Sequence, residues 1–139
     1  MKLENNWKSK TLEHLEKEIW KDSEFESYII KSVHDLRKLP LEKFTAEDLR
    51  IMIGQNVGLN YLIPLALEVL TENLWAEGDY YEGDLLNSAL NINADFWISN
   101  KNYWLKLNDL VKDSRPDLEK KKIDTTTFTK VQFVMNTLI

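Results

Sequence analysis

The sequence predicts an all-α fold: a compact single-domain bundle of about six to eight short helices around a central apolar helix. Three observations carry that prediction. The stretch IMIGQNVGLNYLIPLALEVL, Ile51 to Leu70, has no charged residue until Glu68, as expected of a segment surrounded by other elements. The flanking segments carry apolar residues at spacings of three and four. Between them stand helix-capping residues, asparagines, glycines and prolines at intervals too short for long helices.

Residues 1–10 read as a loose leader, in which Trp7 has no required contact, and residues 11–139 as one helical domain. Thr11 is placed to cap a helix through Ile19 and Trp20, with Leu12, Leu15 and Ile19 on its apolar side. Ser23, with Glu26 three residues on, has the form of a capping box for the next helix. There Phe25, Ile29, Val33 and Leu36 form the stripe, Tyr28 and Ile30 widen it, and Pro40 ends it. His34, one position from the stripe, reads as a solvated or core-edge histidine. Leu41 to Phe44 is a linker.

Thr45 with Asp48 is a second capping box, Glu47 lies in the first turn, and Leu49, Met52 and Ile53 face inward. Gly54 and Gly58 bracket a turn. The central helix runs from about Leu59–Tyr61 to Asn73, which puts Pro64 near its first turn. Leu85, Leu86, Ala89 and Leu90 fit a short helix from Asp84. Asn91 and Asn93 mark an end and a new start, Asp95 supplies an anion for the first turn, and Asn100 with Asn102 divides the following segment in two. Its buried set is Phe96, Trp97, Trp104, Leu107 and Val111, with Leu110 alongside. Pro116 begins another helix at its first position. The tail DTTTFTKVQFVMNTLI is compatible with a strand or a helix. A lone strand finds no partner in the chain, whereas Phe128, Val131, Met135 and Leu138 make a helical stripe that Thr127 would cap.

Composition narrows the chemistry. The 139-residue chain has no cysteine, which excludes disulfides and thiolate metal sites. Neither a signal-peptide core nor a bilayer-length apolar run is present, so a cytoplasmic location is expected. Gly54 and Gly58 lack the Lys and Ser/Thr of a phosphate loop. His14 and His34 are the only histidines and fit no zinc motif. No serine sits in a nucleophile elbow. Glu77, Asp79, Glu82 and Asp84 miss the calcium-loop spacing and have no substrate-orienting group beside them. An enzyme is therefore not expected, and neither a cofactor nor a metal.

The net charge is −5, from 18 basic and 23 acidic residues. From Ile51 to Asn100 there are seven acids (Glu68, Glu72, Glu77, Asp79, Glu82, Asp84, Asp95) and no lysine or arginine. That field opposes nucleic-acid binding, and the lysines after residue 100 are diluted by Asp109, Asp113, Asp117 and Glu119. It suits a basic protein partner. Trp75, Glu77, Asp79, Tyr80, Tyr81, Glu82 and Asp84 share one glycine-containing connection. Aromatic side chains there offer contact area, and the carboxylates can receive Lys or Arg. The structural alternative is that the connection folds back and its aromatics plug the core.

The string TAEDLRIMIGQNVGLNYLIPLALEVLTENLWAEGDYYEGDLLNSAL, Thr45 to Leu90, resembles the central block of immunity proteins from contact-dependent growth inhibition (CDI) systems. TLEHLEKEIW and SYIIKSVHDLRKLPLEKF resemble that family's N-terminal part. The ordered core EDLRxMIGQNxGLxYLIPLALE carries most of the similarity. The resemblance implies a bacterial cytoplasmic protein that binds and neutralises a cognate toxin domain stoichiometrically, without chemistry. An acidic face would suit a basic nuclease toxin, whose cleft is positive to hold phosphates. The competing reading is a small helical adaptor or regulatory protein-binding module unrelated to toxins. Toxin identity, stoichiometry and oligomeric state are not legible.

Overall fold

The computed structural model describes residue 3, residues 5–21 and residues 27–138, the last by its backbone alone. Among these residues every regular element is helical, apart from one isolated bridge between Glu77 and Glu82. The expected all-α bundle is thus the fold.

Helix α1 spans Leu12–Glu16, and Thr11 caps it as expected by accepting a hydrogen bond from the His14 amide. It is shorter than its periodicity implied. Lys17 turns left-handed (φ 54°) and ends it, leaving Ile19 in solvent. Helix α2, Tyr28–Leu36, is capped by Ser27, whose hydroxyl accepts from the Ile30 amide. The box expected at Ser23 and Glu26, and Phe25 of the stripe, lie outside the described residues. Val33 and Leu36 are buried, but Tyr28, Ile29 and Ile30 are exposed. The wide stripe expected here is therefore wrong in its first turn: α2 packs on α3, and the residues it buries, Val33 and Leu36, lie in its C-terminal half. Buried Arg37 ties the end of α2 to the chain after α1. It pairs with Glu16, donates to the Glu18 carbonyl at 2.6 Å and lies 4.3 Å from the Trp20 ring.

Helix α3 (Ala46–Gly54) follows a short turn around buried Leu41, and both halves of the Thr45–Asp48 capping box form. The turn to the next helix requires Gly58. Its φ is +66°, and a Cβ there would stand 2.7 Å from a methyl of Leu12. Helix α4, Leu59–Glu72, is the central element, touching α3, α5 and α7. Leu62, Ile63, Leu65, Ala66, Leu67 and Leu70 are buried, each large side chain contributing about 1.5–3 kcal/mol. Pro64 lies past the first turn rather than in it, so the Asn60 carbonyl loses its helical donor. Asn60 is exposed, and water can replace that donor.

Helices α5 (Asp84–Leu90), α6 (Ala94–Ser99) and α7 (Lys101–Val111) follow. Asn93 caps α6 through the Phe96 amide at 2.9 Å. The break comes at Asn100, whose amide donates back to the Phe96 carbonyl at 2.8 Å, while Asn102 continues α7. Helix α8, Arg115–Lys120, begins one residue before Pro116. The tail is helical: α9 spans Thr126–Leu138, buries Phe128, Val131 and Met135, and packs on α6. Thr127 lies inside it. Asp124 does the capping, accepting from the Thr126 amide at 2.9 Å, and that bond holds its carboxyl below the usual range. Phe128 stacks on Trp104 and meets Trp97 edge-on, closing this end of the core.

At the other end Trp7 packs against Tyr61 with ring centroids 6.4 Å apart, and Lys8 pairs with Glu68 at 2.8 Å. No helix is long and apolar enough to cross a membrane, and no group of His, Asp and Glu able to hold a metal ion occurs among the described residues.

Candidate protein interface

The connection between α4 and α5 is a small closed platform, and the fold sorts its seven sequence-selected residues into two groups. Asp84, only 1 % exposed, points inward. Its Oδ1 accepts from the Gly78 amide at 2.6 Å, and its Oδ2 from the Tyr80 and Tyr81 amides at 3.1 and 3.4 Å. Trp75 is half-buried, with its ring 3.4 Å from where a Cβ on Gly83 would stand. The Gly83 amide donates to the Trp75 carbonyl at 3.1 Å, so the loop closes on itself. Gly83 has a φ of +91°, a conformation that favours glycine. The other five residues, Glu77, Asp79, Tyr80, Tyr81 and Glu82, are exposed. Tyr80 is 71 % and Tyr81 45 % exposed.

Helix α3 supplies the base on which the platform rests. Arg50 makes a two-pronged pair with Glu47 at 2.6 and 2.7 Å, lies 3.8 Å from Asp84 and stacks 4.4 Å from the Tyr80 ring. Glu47 also accepts the Asp79 amide at 3.0 Å. The hydrogen bond from Arg50 is the chief cause that holds the Glu47 carboxyl below its ordinary value and raises Arg50 in return. Gly78 sits so close that an added Cβ would meet Glu47 Oε1 at 2.5 Å. From the far side Lys121, just after α8, reaches Glu82 at 3.1 Å and covers the Trp75 ring at 4.9 Å.

The acids of residues 51–100 are less bare than their sequence spacing implies. Lys8, Lys121 and Arg50, all from outside that stretch, partner Glu68, Glu82 and Asp84. Glu72, Glu77, Asp79 and Asp95 have no cationic partner among the described residues. Glu77 and Asp79 thus remain as the open charges of the platform, beside two exposed tyrosines. Sequence reasoning passed over Arg50 and Glu47, which set the platform's position. An Arg three residues after a Glu on one helix face was the available signal. Such a pair is common enough on helices that it marks nothing by itself.

This arrangement offers no nucleophile with a base and no cluster of metal ligands. It offers a fixed surface of carboxylates and aromatic rings, suited to binding. The family model of the CDI immunity proteins matches residues 13–107, a span that includes α1 from its second residue, α2 to α6, the α4–α5 connection and most of α7. The chain belongs to the CDI immunity proteins. This CDI immunity protein accordingly binds and neutralises a cognate CDI toxin. No curated protein and no solved structure matches it. Helices α8 and α9 lie beyond the matched span, yet Lys121 of the segment after α8 holds the platform's edge and α9 seals the core.

Proposed function

We propose that the platform is where this CDI immunity protein meets its toxin, in the bacterial cytoplasm, and that the toxin presents a basic surface such as a nuclease cleft. In this reading Glu77 and Asp79 receive Lys or Arg side chains, Glu82 adds its charge to the same face while paired with Lys121, and Tyr80 and Tyr81 supply the buried contact area. Trp75 and Asp84 hold the loop in shape. The observation that carries the reading is the Asp84 cage. The connection between Glu72 and Asp84 is fixed by the buried carboxylate at its end, so its exposed side chains are ordered before any partner arrives and less freedom is lost on binding. A loop serving only to join two helices has no need of three amide bonds to one buried oxygen pair, nor of two solvent-facing tyrosines.

The test is charge reversal at Glu77, Asp79 and Glu82 together, with binding measured to an inactivated form of the cognate toxin domain. Affinity should fall at least about tenfold while melting stays nearly unchanged. For the unaltered protein, the association rate should fall as salt is added. Wild-type affinity in the triple variant would place the interface elsewhere. A salt-independent rate would remove steering by this face.

A further inference from the structure

The first turn of α2 carries three consecutive apolar residues that are exposed among the described residues: Tyr28 (77 %), Ile29 (43 %) and Ile30 (48 %). Three adjacent large apolar side chains at a helix start are not scattered surface residues, and such a patch marks a place where something docks. This patch is continuous with the acidic platform. Tyr28 lines a groove of about 410 Å³ together with Asp35 of α2, Asp48 of α3, whose carboxylate also accepts the Thr45 amide, and Asp79. Among the described residues, no lysine or arginine lines that groove. Its remaining carboxylate, Glu47, is already paired with Arg50. On the other side of the same turn, Ile30 borders a smaller apolar hollow of about 170 Å³ with Trp20, Val33 and Val57.

Size also points to this surface. A stable protein interface draws on about 20–30 residues a side, far more than a loop of residues 77–82 supplies. We propose that the toxin's footprint runs from the platform across the groove onto the first turn of α2. A toxin Lys or Arg enters between Asp35, Asp48 and Asp79, and the apolar surface around it covers Tyr28 and Ile30. This extends the reading of the platform given above and rests on it. Charge selects the occupant. A second copy of this chain docked symmetrically would bring the same acidic groove against itself, since a two-fold interface uses one patch on both partners. A basic toxin surface is complementary to it.

The experiment compares three variants against an inactivated form of the cognate toxin domain: Tyr28→Ala with Ile30→Ser, the Glu77/Asp79/Glu82 charge reversal, and Phe133→Ala. Phe133 is 76 % exposed on α9, outside the proposed footprint. All the substituted side chains face solvent, and melting curves confirm that each variant is folded. The α2 variant should bind at least about tenfold more weakly, mainly through faster dissociation, and Phe133→Ala should bind as the unaltered protein does. Loss in the platform variant with full affinity in the α2 variant overturns this extension and leaves the platform reading standing. Full affinity in the platform variant overturns both. An α2 variant that becomes monomeric where the unaltered free protein is dimeric, with toxin affinity kept, shows that the face serves self-association and also overturns the extension.

Discussion

Replacing Asp84 with alanine should unfasten the platform while leaving the hydrophobic core in place. The buried carboxylate accepts three backbone amides, and a hydrogen bond to a charged group is worth about 1.5–3 kcal/mol. The Gly78 bond, at 2.6 Å, counts nearly in full. The Tyr80 and Tyr81 bonds are longer and belong to exposed residues, so once the loop relaxes water satisfies those amides and recovers part of the loss. Arg50 keeps its two bonds to Glu47, so the removed charge at 3.8 Å adds little. The expected cost is about 2–4 kcal/mol. With a urea slope of about 1–3 kcal/mol per molar, the unfolding midpoint should drop by roughly 1–2 M. Asp84→Asn should lose less. It can keep an oxygen toward Gly78 but turns an NH₂ toward the Tyr80 and Tyr81 amides. Tryptophan fluorescence in urea reads the stability, and titration with the toxin domain reads the function. Both variants should lose more affinity than their unfolded fraction explains, because the loop is no longer set in advance. An Asp84→Ala protein within about 0.5 kcal/mol of the original would refute the view that this carboxylate organises the connection.

Two further expectations concern the body of the protein and its acid response. Leu62→Ala or Leu67→Ala, in the centre of α4 where both are buried, should cost about 2–5 kcal/mol from lost burial and the cavity left behind. Denaturant unfolding measures this, and a change under about 1 kcal/mol would mean that α4 is not enclosed. Glu47 is held below its ordinary value of 4.5, chiefly by the hydrogen bond from Arg50. A carboxyl depressed in the folded state stabilises fully above the unfolded value and loses that stabilisation as pH falls through the folded one. The stability gap between the original protein and Glu47→Gln should therefore be constant near neutrality and close below about pH 4.5. A gap that widened toward acid would contradict the Glu47–Arg50 account.

Much of the fold was written in local signals. Thr45 with Asp48 announces α3 because both halves of the capping box lie within four residues. Asn93 starts α6 through a one-sided cap that is just as local, its side chain accepting the Phe96 amide three residues on. The uncharged run of α4 requires enclosure by neighbours whatever their order. The misreadings are non-local. Periodicity in α2 identifies an apolar stripe but not how far its neighbours cover it, and Tyr28, Ile29 and Ile30 stay exposed. Nothing in Leu12, Leu15 and Ile19 tells that Lys17 will turn left-handed and end α1 two residues before Ile19. Thr127 is an acceptable cap by composition, but Asp124 reaches the Thr126 amide first.

The candidate site shows the same division. That Trp75 to Asp84 would combine aromatics with acids was plain from the sequence. That Asp84 turns inward while Glu77 and Asp79 turn outward was not, because the choice depends on Arg50 and Glu47, some thirty residues earlier in the chain. Nor does sequence spacing reveal that Lys8 and Lys121 reach across the fold to Glu68 and Glu82. The acidic stretch is a property of the chain, and the open charge is a property of the folded surface.

Hydroxyl-radical footprinting of this immunity protein, alone and with saturating toxin domain, tests the docking face most directly. Tyr80, Tyr81 and Phe133 are all exposed in the free protein and report on opposite proposals in one sample. The account predicts that toxin strongly protects Tyr80 and Tyr81 from oxidation and leaves Phe133 reacting as before. Unchanged oxidation of both tyrosines, with protection appearing at Phe133 on α9, would contradict it.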